Sequence, residues 1–143
     1  MNDQTTMRDE IERWWRGQNG SPFNDLLDSR LVGLGDGEAI FEAIPSEKFY
    51  NPQRRCHGGY AATLLDSAMG CAIFSRLGRT AEFGTITLNV QYVRGIFAES
   101  GKLTCTGKVI HYGRRVQTAQ GQIIDAQGKL CAHGTGTFMV YNA

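Results

Sequence analysis

One carboxylate, Asp66, interrupts the most apolar stretch of the chain, with Leu64, Leu65 and Ala68 around it. An unpaired carboxylate among apolar side chains costs on the order of several kcal/mol or takes up a proton. Asp66 is therefore either a satisfied hydrogen-bonding group of the core or a group with a chemical task. Nine residues upstream stands His57-Gly58-Gly59, at the start of the same stretch. Backbone N–H groups at a helix N-terminus lack acceptors and sit at the positive end of the helix dipole, and glycine lets a ligand carbonyl come up to them. Such a segment suits an oxyanion of the kind that develops in acyl transfer. Alone, His57 could equally be a helix cap or loop anchor, and Asn51 a turn residue beside Pro52.

These residues need a scaffold, and the hydrophobic pattern supplies one. From His57 to Leu77 the chain is rich in Ala, Leu, Met, Ile and Phe, too long for an ordinary strand and apolar nearly all round, which predicts one helix buried inside something. Upstream, Leu31 to Ile44 is strand-like with a Gly35-Asp36-Gly37 turn signal, and Pro45 to Cys56 reads as a structured loop. Downstream, Ile86, Leu88, Val90 and Tyr92 alternate with Thr85, Thr87, Asn89 and Gln91 as in a strand. Leu103 to His111, Val116 to Asp125 and Leu130 to Tyr141 give three more, joined by short turns that call for antiparallel neighbours. The expected architecture is α+β: a strand, one central helix, then four strands as a meander wrapped around it. An open sheet edge is a liability, which pairing of subunits into a continuous sheet would remove.

Ahead of this domain, placed at residues 31–143, a segment 1–30 is expected to be helical. Arg8 to Gln18, with Ile11, Trp14 and Trp15 among charges, fits a short amphipathic helix packed on its own domain or a partner subunit, and Leu26 and Leu27 belong to a second short helix after Ser21-Pro22.

Lys and Arg total 15 against 14 Asp and Glu, a formal charge of +1, so no broad basic field exists for nucleic acid or an anionic membrane. No apolar run approaches the roughly 18 residues of a membrane span. Cys56, Cys71, Cys105 and Cys131 show no C-x-x-C spacing and follow no secretory leader, so they read as reduced, packing thiols in cytoplasm. His111 and His133 lie on strand patterns without ligand spacing and read as structural, and no metal site is expected.

The string Asn51-Pro52-Gln53-Arg54-Arg55-Cys56-His57-Gly58-Gly59, continuing through Leu64-Leu65-Asp66-Ser67-Ala68, resembles the phenylacetic-acid-degradation branch of the hotdog-fold acyl-CoA thioesterases. The resemblance runs from about Leu31 to Tyr141 and includes Thr85 to Tyr92, Gly113-Arg114-Arg115-Val116 and Ala132 to Phe138. It implies a sheet wrapped around one helix and hydrolysis of an acyl-CoA, aromatic or medium-chain, to free acid and CoA. It implies that the Gly58 amide and Asn51 polarise the thioester carbonyl and that His57 orients Asn51. Asp66 from the facing subunit would attack or activate water positioned by Thr85, and Gly59 would help to bind the substrate or its CoA. Arg114 and Arg115 would meet the CoA phosphates, a task that suits guanidinium groups near a turn, though an arginine pair on a hairpin is otherwise solvated surface. The resemblance further implies a homotetramer made of two dimers, and no cofactor, CoA being part of the substrate. Thr87 stands where many relatives carry an acid, and Arg94-Gly95 replaces a common Arg-Pro, so the pocket wall and this strand's end differ.

Two rivals share the fold. An enoyl-CoA hydratase or dehydratase moves a proton at carbon, typically with an Asp and a His a few residues on; here no acid closely precedes Asn51-Pro52 and the nearby His opens the helix. A non-catalytic acyl-CoA binding protein of the sensor type carries a DNA-binding module, for which this chain has neither length nor a basic recognition helix.

Overall fold

The computed structural model describes residues 21–77 and 81–142, together with Asp9 and Arg13. The expected amphipathic helix with Trp14 and Trp15 otherwise lies outside the described residues. Ser21 caps a short helix, α1 (Pro22–Leu26), accepting from the Asn24 N–H at 3.5 Å, with Pro22 in the first turn where its missing N–H is no loss. The strand-like stretch that follows is a hairpin, β1 (Ser29–Gly35) and β2 (Glu38–Ala43), turned by Asp36 and Gly37. Both turn residues have positive φ, 53° and 84°, the geometry in which a two-residue loop matches the twist of its strands.

The long helix, α2, runs Gly58–Phe74. After it come β3 (Glu82–Tyr92), β4 (Leu103–Tyr112), β5 (Val116–Ile124) and β6 (Leu130–Asn142). All pairings are antiparallel and the spatial order is β1-β2-β4-β5-β6-β3. This corrects the expected four-strand meander. Only β4, β5 and β6 follow one another through short turns, while β3 lies beside β6 at the far edge. The segment between β3 and β4 is long enough to cross the end of the sheet, and it is anchored there by buried Ile96, whose carbonyl accepts from the Cys56 N–H at 2.8 Å.

The sheet curls around α2. Leu64, Leu65, Met69 and Ile73 of the helix are fully buried against Phe41, Leu103, Ile123 and Phe138 of the strands, each contributing about 1.5–3 kcal/mol of burial. The helix lies directly on β4: a Cβ at Gly107 would sit 2.3 Å from the Ala68 carbonyl oxygen, so only glycine fits beneath it. One helix enclosed by an antiparallel sheet is the hotdog arrangement that the resemblance implies. The enclosure is incomplete, however. Gly59, Ala62, Thr63, Asp66 and Ser67, at helical spacing, are not covered by the sheet, so α2 is not buried all round and keeps one flank open beside β3.

Candidate functional site

Asp66 stands on that open flank, half-buried rather than enclosed. Its Oδ1 accepts a hydrogen bond from Thr85 Oγ1 at 2.8 Å. Strict alternation along β3 would turn Thr85 away from the face that carries Leu88 and Tyr92. A bulge between Thr85 and Thr87, with Ile86 unpaired, resets the phase. Phe83 then packs toward Phe74 and Phe138, Thr85 reaches Asp66, and Tyr92 returns to the helix, all on one side of the strand. Thr85 thus holds the carboxylate itself, and Oδ2 is left for another partner.

At the other end of the open flank, His57 caps α2. Its Nδ1 accepts from the Gly59 N–H at 2.8 Å, which places the ring proton on Nε2. The first N–H groups of a helix have no acceptor within it, and that of Gly58 forms no hydrogen bond among the described residues. The Gly58 carbonyl accepts from the Tyr92 hydroxyl at 2.6 Å. In the sequence Tyr92 reads only as a strand residue, because a contact across 34 positions leaves no local signal.

Asn51 lies in the loop before α2. Its Oδ1 accepts from the Gln53 N–H at 3.0 Å, its N–H donates to the Arg55 carbonyl, and its own carbonyl accepts from the Arg54 N–H. This tight turn holds Arg54 at φ 61°, a left-handed conformation unusual for a residue with a Cβ. Among the described residues no hydrogen bond joins His57 to Asn51: each side chain is engaged by its own backbone neighbourhood.

Along one α2, Gly58 and Asp66 are eight residues apart, about 12 Å at the helical rise. A thioester carbon within reach of one is out of reach of the other in the same chain. Arg114 and Arg115 are exposed in the turn between β4 and β5. Gln117, the second residue of β5, shares a row across the sheet with Phe138 and Thr85, so the arginines flank the Asp66 end at about two strand spacings, roughly 10 Å.

Cys71 and Cys105 are held as thiols. Burial pushes the Cys71 thiol up to about 12, the nearby Asp66 charge adding to it, and burial does the same for Cys105, with Cys131 adding. Neither is a thiolate at neutral pH. Among the described residues no His, Cys, Asp and Glu group of three or more is placed to hold a metal ion.

Comparison with known proteins gives the family and the fold. The family model of the thioesterase superfamily matches residues 54–132. A protein of Halobacterium salinarum named as an esterase is 37% identical over 127 residues, covering 81% of this chain and 82% of that one. The acyl-coenzyme A thioesterase PaaI of Escherichia coli is 26% identical over 122 residues, covering 82% and 84%, and its solved structure shares the fold with a TM-score of 0.81 over 94% of this chain and 95% of that one, at 20% identity. A phenylacetic acid degradation-related protein from Ralstonia eutropha superposes with a TM-score of 0.80 at 25% identity, over 90% of this chain and 98% of that one. The chain belongs to the thioesterase superfamily.

Proposed function

We propose that this member of the thioesterase superfamily hydrolyses an acyl-CoA, with an aromatic or medium-chain acyl group, at a site shared by two subunits. The observation that carries the shared site is the separation of Gly58 from Asp66 along a single helix. Edge strand β3 marks both ends: Thr85 touches Asp66 and Tyr92 touches Gly58. A twofold axis crossing β3 midway, near Leu88 and Asn89, would set Gly58 of one chain against Asp66 of the partner subunit. It would also pair the two open β3 edges into one sheet and cover Ile86, Leu88 and Val93, which are exposed in the single chain.

In that site the thioester carbonyl oxygen faces the Gly58 N–H at the positive end of α2, with the His57 Nε2–H and Asn51 beside it. Charge building on the oxygen is stabilised there. Asp66, its Oδ1 held by Thr85, uses Oδ2 in one of two ways. It takes a proton from the water that attacks the carbonyl carbon, a proton then passed to the leaving sulfur, or it attacks that carbon itself, forming a mixed anhydride that water hydrolyses to the free acid while a water proton goes to the leaving sulfur. The C–S bond breaks and CoA leaves as a thiol after taking a proton. Backbone amides polarise the carbonyl, so the reading includes no resident metal or cofactor. Arg114 and Arg115 take the phosphates of CoA, and two dimers associate into a tetramer. Cytoplasm is the compartment proposed: Cys56, Cys71, Cys105 and Cys131 are all free, as in reducing surroundings, and no described helix is long and apolar enough to cross a membrane.

Two measurements test this. A free-thiol assay against a panel of acyl-CoAs should find turnover on an aromatic or medium-chain ester, and inertness toward the whole panel would reject the reading. Mixing inactive Asp66→Ala with inactive Asn51→Ala protein should restore activity in hybrid dimers; none after proven subunit exchange would reject the shared site.

A further inference from the structure

The Gly58–Gly59 peptide is held at both of its polar ends. Its carbonyl takes the Tyr92 hydroxyl at 2.6 Å and its N–H goes to His57 Nδ1 at 2.8 Å. Two successive glycines give the freest backbone a chain can have, yet a side chain at either would press on one of these holds. A Cβ at Gly58 would lie 3.1 Å from the Tyr92 hydroxyl, and one at Gly59 would lie 3.1 Å from His57 Nδ1. The hydrogen bond from Gly59 to the imidazole closes a ring of atoms that contains the His57–Gly58 peptide. Fixing that ring therefore fixes the direction of the Gly58 N–H. Tyr92 ties the far side of the ring to β3. In the single chain the residue is 57% exposed, so packing within its own core does not account for it, whereas its hydroxyl makes a short, well-formed bond.

We propose that Tyr92 is a positioning residue of the thioester site, clamping the Gly58–Gly59 peptide together with His57 so that the Gly58 N–H stays aimed at the developing oxyanion. The proposal rests on the reading of Gly58 as the oxyanion donor. A donor aimed in advance stabilises the transition state more than the bound ester, so loss of the clamp acts on kcat and leaves KM in place.

The test uses the full chain with Tyr92→Phe and Tyr92→Leu, assayed on the best acyl-CoA found for the wild type, alongside amide hydrogen exchange at Gly59. Phe keeps the ring and removes only the hydroxyl, and Leu removes both. Expected are a fall in kcat of about three- to tenfold in both variants, KM within about twofold, an unchanged melting temperature, and faster exchange of the Gly59 amide. A Phe variant with wild-type kcat, or a Leu variant alone impaired, would show that ring packing is what matters and overturn the proposal. Unchanged Gly59 exchange would overturn the clamp directly. A wild type inert on every acyl-CoA would instead reject the function proposed above, and with it Tyr92's part in turnover, while the exchange data still decide whether the clamp exists.

Discussion

Thr85 Oγ1 lies 2.8 Å from Asp66 Oδ1 across the gap between β3 and α2, and it reaches the carboxylate because β3 gains one unpaired residue at Ile86. Bulges re-aim side chains next to functional sites at a cost in ladder pairing. Here the re-aimed side chain is the one that meets the only carboxylate of the helix.

Asp66→Asn keeps the shape of the side chain and its bond to Thr85 while removing the charge. The site is half-open, so folding and assembly should survive. Activity should not: base or nucleophile assistance is worth at least about a hundredfold, and kcat should fall by that much. Thr85→Val, which removes one hydrogen bond, should cost about tenfold. Near-normal turnover by Asp66→Asn would leave a structural Asp as the better account.

Arg114 and Arg115 sit exposed on the turn at the Asp66 end of the sheet. Charge-assisted bonds to phosphate are worth about 1.5–3 kcal/mol each in favourable geometry, and the exposure here cuts them to about 0.7–1.4 kcal/mol each. Replacing both with Ala should raise KM for CoA esters by about ten- to a hundredfold and leave a truncated thioester without the nucleotide unaffected. Equal loss on both substrates would place the arginines in another task.

Gly107 is where helix and sheet touch backbone to backbone. A Cβ there would lie 2.3 Å from the Ala68 carbonyl oxygen and 2.7 Å from the Met69 nitrogen, atoms that cannot turn aside as a side chain does. Gly107→Ala should lower stability by about 3 kcal/mol or more, at the upper end of overpacking costs, as read from urea unfolding. A loss under about 1 kcal/mol would mean that α2 can lift off β4 freely.

Much of this scaffold is legible in the residues. The Asp36-Gly37 turn, the extent of α2 and the strand ends of β4, β5 and β6 all follow from period and turn chemistry, which are local. What is not legible is non-local. The place of β3 beside β6 depends on how residues 93–102 cross the sheet end, and Ile96 gives no sign in the sequence that it will be buried there. The phase of β3 is lost at Ile86 because a bulge residue looks like any β-branched strand residue. Asp66 reads as buried because Leu64, Leu65 and Ala68 around it are apolar, yet the stripe from Gly59 to Ser67 contains the smaller and more polar members of the helix, a pattern that marks an open flank. The catalytic reading of Asn51 and His57 came by resemblance, and their separate engagement by Gln53 and Gly59 depends on loop geometry that spacing cannot supply.

The buried thiols give the last prediction. All four thiols have an ordinary value of 9.0 and are raised by burial, Cys56 to about 11, Cys71 and Cys105 to about 12, and Cys131 in the same direction. A group whose folded value is raised binds its proton more tightly in the folded state. Its contribution is therefore fully present below pH 9 and is lost as pH climbs from there toward 12, because only the unfolded chain gives the proton up. The slope is about 1.4 kcal/mol per pH unit for each thiol in that window, with Tyr60, also raised by burial, steepening it further at the alkaline end. Urea unfolding free energies from pH 8 to 10.5 should fall along this course. Cys105→Ala, which leaves the other three thiols, should start lower because a buried side chain is trimmed, yet decline less steeply above pH 9. Parallel curves for the variant and the wild type would show that the Cys105 thiol ionises as readily folded as unfolded, against its place in the core.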